Sequence, residues 1–172
     1  MFSEEGPGQR ELVPASPGPF LLEGIITGMR ILGIDPGEVR LGLAVSDELG
    51  LTAQGLPTWT RRGRLADLAH FRSLVKDLDV VEVVVGFPRN MDGTVGPQAE
   101  AAQELARDLR DALGLPVALW DERLTTQAAT RVLTEAGLSR RRQRGRVDAV
   151  AAALILQGYL DRTRASRQEG AG

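Results

Sequence analysis

The stretch that most constrains the fold is residues 31–47, in which two apolar segments are joined at Asp35-Pro36-Gly37. The first segment consists mostly of β-forming residues, and in the second leucine and valine alternate with small residues. Pro36 and Gly37 end the first strand and turn the chain back, which predicts a hairpin. The carboxylate of Asp35 is therefore expected at the end of a buried strand.

A carboxylate at the end of a buried strand is unfavourable unless a cation, hydrogen bonds or water compensate its charge. One interpretation of Asp35 is a functional acid that binds such a cation. The alternative is an aspartate that caps its own turn, which Asp-Pro-Gly sequences often do. This stretch alone leaves both interpretations open.

Further strands and helices follow in an alternating order. The predicted elements are the hairpin over 30–47, a third extended stretch near 51–60, a helix over 63–78, a strand over 80–86, a helix over 97–113, a strand over 116–120, a helix from Thr125 or Thr126 to about 136, and a last helix from 147 to about 163. This order predicts an α/β fold, with a mixed five-stranded sheet of three antiparallel strands and then parallel strands. Helices are expected on both faces of the sheet.

A chain of 172 residues is expected to form one domain. Residues 1–28 are rich in glycine, proline and glutamate and predict a disordered extension, with Met29 a candidate start directly before the first strand. The domain is expected over 29–163, and 164–172 is expected to be a flexible tail. No apolar run is long enough to span a membrane and no basic leader precedes an apolar segment, so a cytoplasmic protein without membrane association is expected.

Acidic residues occur at three points that such a sheet would bring to one edge. Asp35 ends the first strand, Asp121 and Glu122 end the last strand, and Asp148 lies in the first turn of the final helix. The helix dipole alone would also explain an acid in the position of Asp148. Clustered carboxylates repel one another, and a hard divalent cation relieves that repulsion. Because the chain has no cysteine and a single histidine, Mg²⁺ or Mn²⁺ is the expected cation.

Four sequence blocks that span residues 30–160 occur in an order typical of a known family. They are Gly33-Ile34-Asp35-Pro36-Gly37 with Arg40, Gly42, Val45, Ser46 and Asp47; Val85-Gly86-Phe87-Pro88 with Asn90-Met91-Asp92-Gly93; Asp121-Glu122-Arg123-Leu124-Thr125-Thr126; and Gly145-Arg146-Val147-Asp148 with the alanines that follow. In these blocks the chain resembles the YqgF/RuvX group of the ribonuclease H-like superfamily.

This resemblance implies a ribonuclease H-like sheet in which Asp35, Glu122 and Asp148 are the metal-binding catalytic acids. It implies a nuclease that either trims the 5′ end of the 16S rRNA precursor, which is the expected activity, or resolves Holliday junctions. Two metal ions bridged by Asp35, with Glu122 and Asp148 as outer ligands, would activate water and stabilise the leaving oxygen.

Two positions depart from the expected pattern. Pro36 replaces the aromatic residue that usually follows the first aspartate of the family, as it does in the related RuvC resolvases. Ala151 stands where those resolvases have a further acid in the last helix. The missing ligand would be replaced by Asp121 or by water, or the second metal would bind weakly.

Arginine provides nearly all the basic groups, and it suits bidentate contacts with phosphate. The residues expected to contact nucleic acid are Arg40, Asn90, Arg123, Thr125, Arg140, Arg141, Arg142, Arg144 and Arg146. The arginine run over 139–146 has an alternative interpretation as a solvated link, and Asp92-Gly93 has one as a simple turn.

Other functional classes remain to be weighed against a nuclease. Actin-like ATPases and sugar kinases also place an aspartate and glycine in a hairpin, but they need two such domains. A non-catalytic nucleic-acid-binding module on the same fold would be expected to have lost its acids. The sequence leaves open whether the partner is RNA or branched or single-stranded DNA, and whether the protein is a monomer or a homodimer.

Overall fold

Five strands and three helices form the part of the protein that a computed structural model describes, residues 29–124 and 140–171. The side chains of Leu124 and of residues 140–146 are outside this description. The strands are β1 (Arg30–Asp35), β2 (Arg40–Ser46), β3 (Ala53–Thr60), β4 (Val80–Phe87) and β5 (Val117–Asp121), and the helices are α1 (Arg64–Asp77), α2 (Pro97–Leu113) and α3 (Arg140–Glu169). The predicted N-terminal extension and the predicted helix from Thr125 or Thr126 to 136 lie outside the described residues.

The strands form one sheet in the order β3-β2-β1-β4-β5. β1 pairs antiparallel with β2, and β2 pairs antiparallel with β3. β4 lies parallel to β1 on one side and to β5 on the other. The predicted mixed sheet is confirmed, and the carboxyl ends of β1, β4 and β5 meet at one edge.

Apolar side chains are buried on both faces of the sheet. Val83 and Val85 of β4 belong to the core formed with α1 and α2, and Val84 between them belongs to the core formed with α3. Side chains alternate between faces along a strand, so a continuous run of valines is the expected pattern for a strand covered on both sides.

Glycines in the strands allow α3 to lie directly against the sheet. A Cβ atom on Gly42 would lie 2.1 Å from the main-chain oxygen of Asp148, and one on Gly33 would lie 2.8 Å from the Cβ of Leu156. Gly55 is less crowded, with 3.2 Å to the Cβ of Ala149. Because strand and helix backbones approach so closely, the position of Asp148 relative to β2 is tightly constrained.

The last helix is longer than predicted. It begins at Arg140 rather than near 147, so residues 140–146 of the arginine-dense segment are helical. Arginine is a good helix former, and one glycine within a long helix is tolerated. The helix continues to Glu169, past the predicted end near 163 and through most of the predicted tail. None of the helices in the described ranges is long and apolar enough to cross a membrane.

The orientation of α1 also differs from the apolar pattern. Leu65 shares the helical spacing of the buried residues but is 84% exposed, whereas Asp67 is 1% exposed. Leu68 and Phe71 are buried as the pattern predicts. The helix is turned so that Asp67 meets hydrogen-bond donors from β3 and the residues after it, and Leu65 then points to solvent.

Candidate active site

Two carboxyl groups meet where β1 and β5 end. Asp35 is the last residue of β1, and Glu122 directly follows β5 in a short 3₁₀ turn, Glu122–Leu124. Their side chains share a hydrogen bond. Gly86 of β4 makes room for this pair, because a Cβ atom there would lie 2.3 Å from Oε1 of Glu122.

Burial raises the pKa of both carboxyl groups. For Asp35 the negative charge of Asp148 raises the pKa further, whereas the hydrogen bond with Glu122 opposes the shift. For Glu122 the charge of Asp35 and the same hydrogen bond add to the effect of burial. Glu122 is therefore the group that keeps its proton near neutral pH and donates it to the carboxylate of Asp35.

The other two acids of the predicted cluster pair with arginines. Asp148 lies 3.6 Å from Nε of Arg40, and its pKa is raised by burial while Arg40 opposes the shift. Asp121 accepts hydrogen bonds from Arg123, with 3.0 Å from Nε and 2.6 Å from Nη2 to its Oδ2. These bonds lower the pKa of Asp121 despite its partial burial. Asp121 is thus engaged by Arg123, and its negative charge contributes to the raised pKa of Glu122.

The chemistry of these residues fits a hard divalent cation. Within the described residues, no three acidic or histidine side chains are already arranged as a set of metal ligands. Asp35 and Glu122 instead share a hydrogen bond, and Asp148 forms an ion pair with Arg40. The donors are oxygen atoms, and the raised pKa values show that the site favours added positive charge. Asp35, Glu122 and Asp148 are the residues that could hold Mg²⁺ or Mn²⁺.

The loop between β4 and α2 is organised by its own hydrogen bonds. Oδ1 of Asp92 accepts from the Thr94 main-chain nitrogen at 2.9 Å, and Gly93 has a φ of 85°, so Asp92-Gly93 forms a turn. Nδ2 of Asn90 donates to Oγ1 of Thr94 at 2.9 Å. The predicted contact of Asn90 with substrate stays a prediction. The tip residue Met91 is 93% exposed.

The predicted nucleic-acid contacts fall into two groups in the structure. Arg40 and Arg123 lie beside the acids, and Asn90 lies in the neighbouring loop. The predicted contacts whose side chains are outside the described residues are Thr125, Arg140, Arg141, Arg142, Arg144 and Arg146.

A buried polar network next to this site is absent from the features predicted from the sequence. Asp67 accepts hydrogen bonds from Trp59 and Arg61. The available signal was an acid spaced four residues from Phe71 on the apolar side of a helix, preceded by a tryptophan and two arginines. Such an acid on a buried face requires partners, and those donors are the nearest in sequence.

Comparison with known proteins identifies the family. The model of the RuvX family, described as Holliday junction resolvase, matches residues 29–162. The chain belongs to the RuvX family. A protein of Moorella thermoacetica provisionally named pre-16S rRNA nuclease is 60% identical over 134 residues, covering 78% of this chain and 96% of its own length. A protein of the same name from Geobacillus kaustophilus is 52% identical over 139 residues, covering 79% of this chain and 100% of its own.

A solved structure shows the same fold. RuvC of T. thermophilus in complex with a Holliday junction substrate covers 77% of this chain and 96% of its own, with a TM-score of 0.51 and 21% identity. The ribonuclease H-like fold expected from the resemblance is therefore confirmed for this RuvX protein. The family description and the names of the relatives are both those of nucleases.

The carboxyl pair of this RuvX protein predicts an unusual dependence of stability on pH. The folded-state pKa of Glu122 is raised from 4.5 to about 8, so the folded state binds more protons than the unfolded state between these values. The stability that the folded protein gains by keeping Glu122 protonated is fully present below the unfolded-state pKa, and it is lost as the pH rises through the folded-state pKa. We expect Glu122→Gln to match the metal-free wild type near pH 4.5 and to exceed its free energy of unfolding at pH 8 by roughly 2 kcal/mol.

Urea unfolding of the metal-free proteins at several pH values measures this difference. Burial also raises the pKa values of Glu82 and Asp148, and their contributions to the pH dependence of stability cancel in the comparison with the wild type. Glu104→Gln, an exposed position on α2, is the matched control and should follow the wild type. If the free energies of unfolding of the wild type and Glu122→Gln changed in parallel with pH, the prediction would be contradicted.

Proposed function

We propose that this RuvX protein is a metal-dependent nuclease that processes the 5′ end of pre-16S rRNA. The observation that supports catalysis is the meeting of Asp35 and Glu122 at the sheet edge, with Asp148 held beside them by α3. The pre-rRNA substrate is supported by the names of relatives that match over nearly their whole length. Such a role would put the protein in the cytoplasm.

Asp35, Glu122 and Asp148 are the proposed ligands of Mg²⁺ or Mn²⁺. A bound divalent cation supplies Lewis-acid stabilisation of the phosphate and a water of lowered pKa. Asp35 has Glu122 as its hydrogen-bond partner and Asp148 as a nearby charge, so it is the acid that would share a bound cation with both of the others. To hold a cation, Glu122 would have to be in its ionised form, because a protonated oxygen is a poor ligand.

Arginines beside the acids are proposed to hold the phosphates of the substrate. Arg40 and Arg123 pair with Asp148 and Asp121, and their guanidinium groups present several donors each. A phosphodiester that approaches the acids meets both groups and compensates their charge. The arginines of the first turns of α3 are proposed to extend this contact along the nucleic-acid strand. The affinity for nucleic acid would then depend on the salt concentration.

A second candidate is the cleavage of Holliday junctions. The description of the RuvX family favours it. Both activities hydrolyse a phosphodiester, so the same acids would serve either one. A junction has two-fold symmetry, so a resolvase is expected to act as a homodimer, whereas a trimming nuclease can act as a monomer.

A substrate panel distinguishes these activities. The full chain is incubated with Mg²⁺, Mn²⁺ or EDTA and with an RNA that carries a 16S-type 5′ leader, a single-stranded DNA or a four-way DNA junction, at one salt concentration. We expect cation-dependent cleavage in the RNA leader. Symmetric nicks in the junction with no RNA cleavage would favour the second candidate, and binding to all three without cleavage would indicate a non-catalytic module.

A further inference from the structure

Asp67 anchors a polar network between the sheet and α1. Of the described charged residues it is the one that is fully buried, and both of its oxygens are used. Oδ1 accepts from Nε1 of Trp59 at 2.8 Å and from the main-chain nitrogen of Arg62 at 3.0 Å. Oδ2 accepts from Nε of Arg61 at 3.0 Å. Burial raises the pKa of Asp67, but these bonds outweigh it and lower the pKa, so the carboxylate is a fixed negative charge.

Arg61 connects this anchor to the turn that follows β1. Its Nε binds Asp67, and its Nη1 donates to the main-chain oxygen of Gly37 at 3.2 Å. Its own main-chain nitrogen donates to the oxygen of Val39 at 2.9 Å. One arginine therefore bonds two main-chain oxygens of the turn, and a planar guanidinium held by a buried carboxylate has little freedom to move.

The turn lies between two residues of the candidate active site. Asp35 precedes it, and Arg40, which pairs with Asp148, follows it. The turn is tight, since a Cβ atom on Gly37 would lie 2.3 Å from the main-chain oxygen of Arg40. Movement of the turn is thus transmitted directly to both side chains.

We propose that Arg61, anchored on Asp67, is a positioning residue that holds the Asp35–Arg40 turn in the geometry that the reaction requires. The inference rests on the proposed nuclease function. A neighbouring pair provides the comparison: Arg64 binds Asp108 with two hydrogen bonds of 2.8 and 2.7 Å, and these bonds reach no main-chain atom of the turn.

The test compares Arg61→Lys with Arg64→Lys as the matched control. Lysine keeps a positive charge for Asp67 but is unable to reach Gly37 at the same time, because it has one point of contact where arginine has a fork. Asp67→Asn is the second variant, since asparagine retains an oxygen for Trp59 and Arg62 and releases Arg61. The measurements are amide hydrogen exchange in residues 37–41, kcat and KM on the cleaved substrate, and Mn²⁺ affinity by calorimetry.

We expect faster amide hydrogen exchange in residues 37–41 in Arg61→Lys and Asp67→Asn, with a fall in kcat of about tenfold or more at similar KM. The double variant should lose no more activity than either single variant, because both act through one contact. The Mn²⁺ affinity should fall in parallel with kcat, and Arg64→Lys should match the wild type in every measurement.

Each other result has a definite meaning. Unchanged exchange in both variants would overturn the contact of Arg61 with the turn, and faster exchange with unchanged kcat and Mn²⁺ affinity would overturn the positioning role. If the wild type cleaves nothing, the nuclease proposal fails. Amide hydrogen exchange and Mn²⁺ affinity then still decide whether Arg61 holds the turn and Asp35 in place.

Discussion

Replacement of Asp35 by asparagine is expected to lower cleavage by roughly 10³-fold or more, because several kcal/mol of charge stabilisation would be lost at the proposed metal site. Asp35 is the acid that hydrogen-bonds Glu122 and lies near the negative charge of Asp148, so it contacts or faces both of the other proposed ligands. An amide keeps the shape of the side chain but leaves a divalent cation short of one negative charge. Initial rates with Mn²⁺ at saturating substrate measure this effect.

The same variant should remain folded and should still bind nucleic acid. Removal of a buried carboxylate whose pKa is raised does not destabilise the metal-free protein at neutral pH, so its melting temperature should equal or exceed that of the wild type. Asp111→Asn, an exposed carboxylate on α2, is the matched control and should cleave normally. A cleavage rate for Asp35→Asn within tenfold of the wild type would contradict the assignment of Asp35 as a catalytic metal ligand.

The substitution Gly42→Ala is expected to have the largest effect on stability and also to impair activity. Its Cβ atom would lie 2.1 Å from the main-chain oxygen of Asp148, a contact between two backbones that no side-chain rotation relieves. We expect a loss of about 2–3 kcal/mol and a fall in melting temperature of roughly 5–10 °C. Cleavage at a temperature where the variant is folded should fall by about tenfold or more, because Asp148 must shift.

Gly170→Ala is the matched control for this substitution. A Cβ atom there would lie 3.5 Å from the main-chain oxygen of Ser166, which is an ordinary contact, so its stability should change by less than about 0.5 kcal/mol. Scanning calorimetry and initial rates on both variants give the comparison. If Gly42→Ala melts like Gly170→Ala, β2 and α3 have room to separate and the close approach does not constrain Asp148.

The sheet was predictable because its signals are local. Apolar strands, the Pro36-Gly37 turn and the helix over 97–113 all follow from residues close in sequence. β3 shows where such signals weaken, because Pro57 interrupts the pattern although the strand continues through it. β3 lies at the edge of the sheet and its register shifts between Leu41 and Leu43 of β2, so a residue without an amide hydrogen is accommodated.

Helix α1 shows why an apolar pattern does not settle which residues are buried. Leu65 and Asp67 lie close together on one helix, and spacing alone favours burial of the leucine. The polar partners of Asp67 come from β3 and the residues after it, and a buried carboxylate with a full set of hydrogen bonds outweighs one exposed leucine. Helix rotation therefore depends on contacts that spacing does not encode.

In the candidate site, too, the sequence pattern predicts some features and only the packing decides the others. The parallel strands that the sequence pattern predicts place Asp35 and Glu122, which end β1 and follow β5, at one edge of the sheet. Asp148 reaches that edge because α3 packs closely against β2. The partners of these acids follow from distances of a few ångströms between elements far apart in the chain: Glu122 with Asp35, and Arg40 with Asp148. Local pattern encodes which residues end each strand. Charge pairing and proton sharing fall off steeply with distance, so they are set only when β1, β5 and α3 pack together.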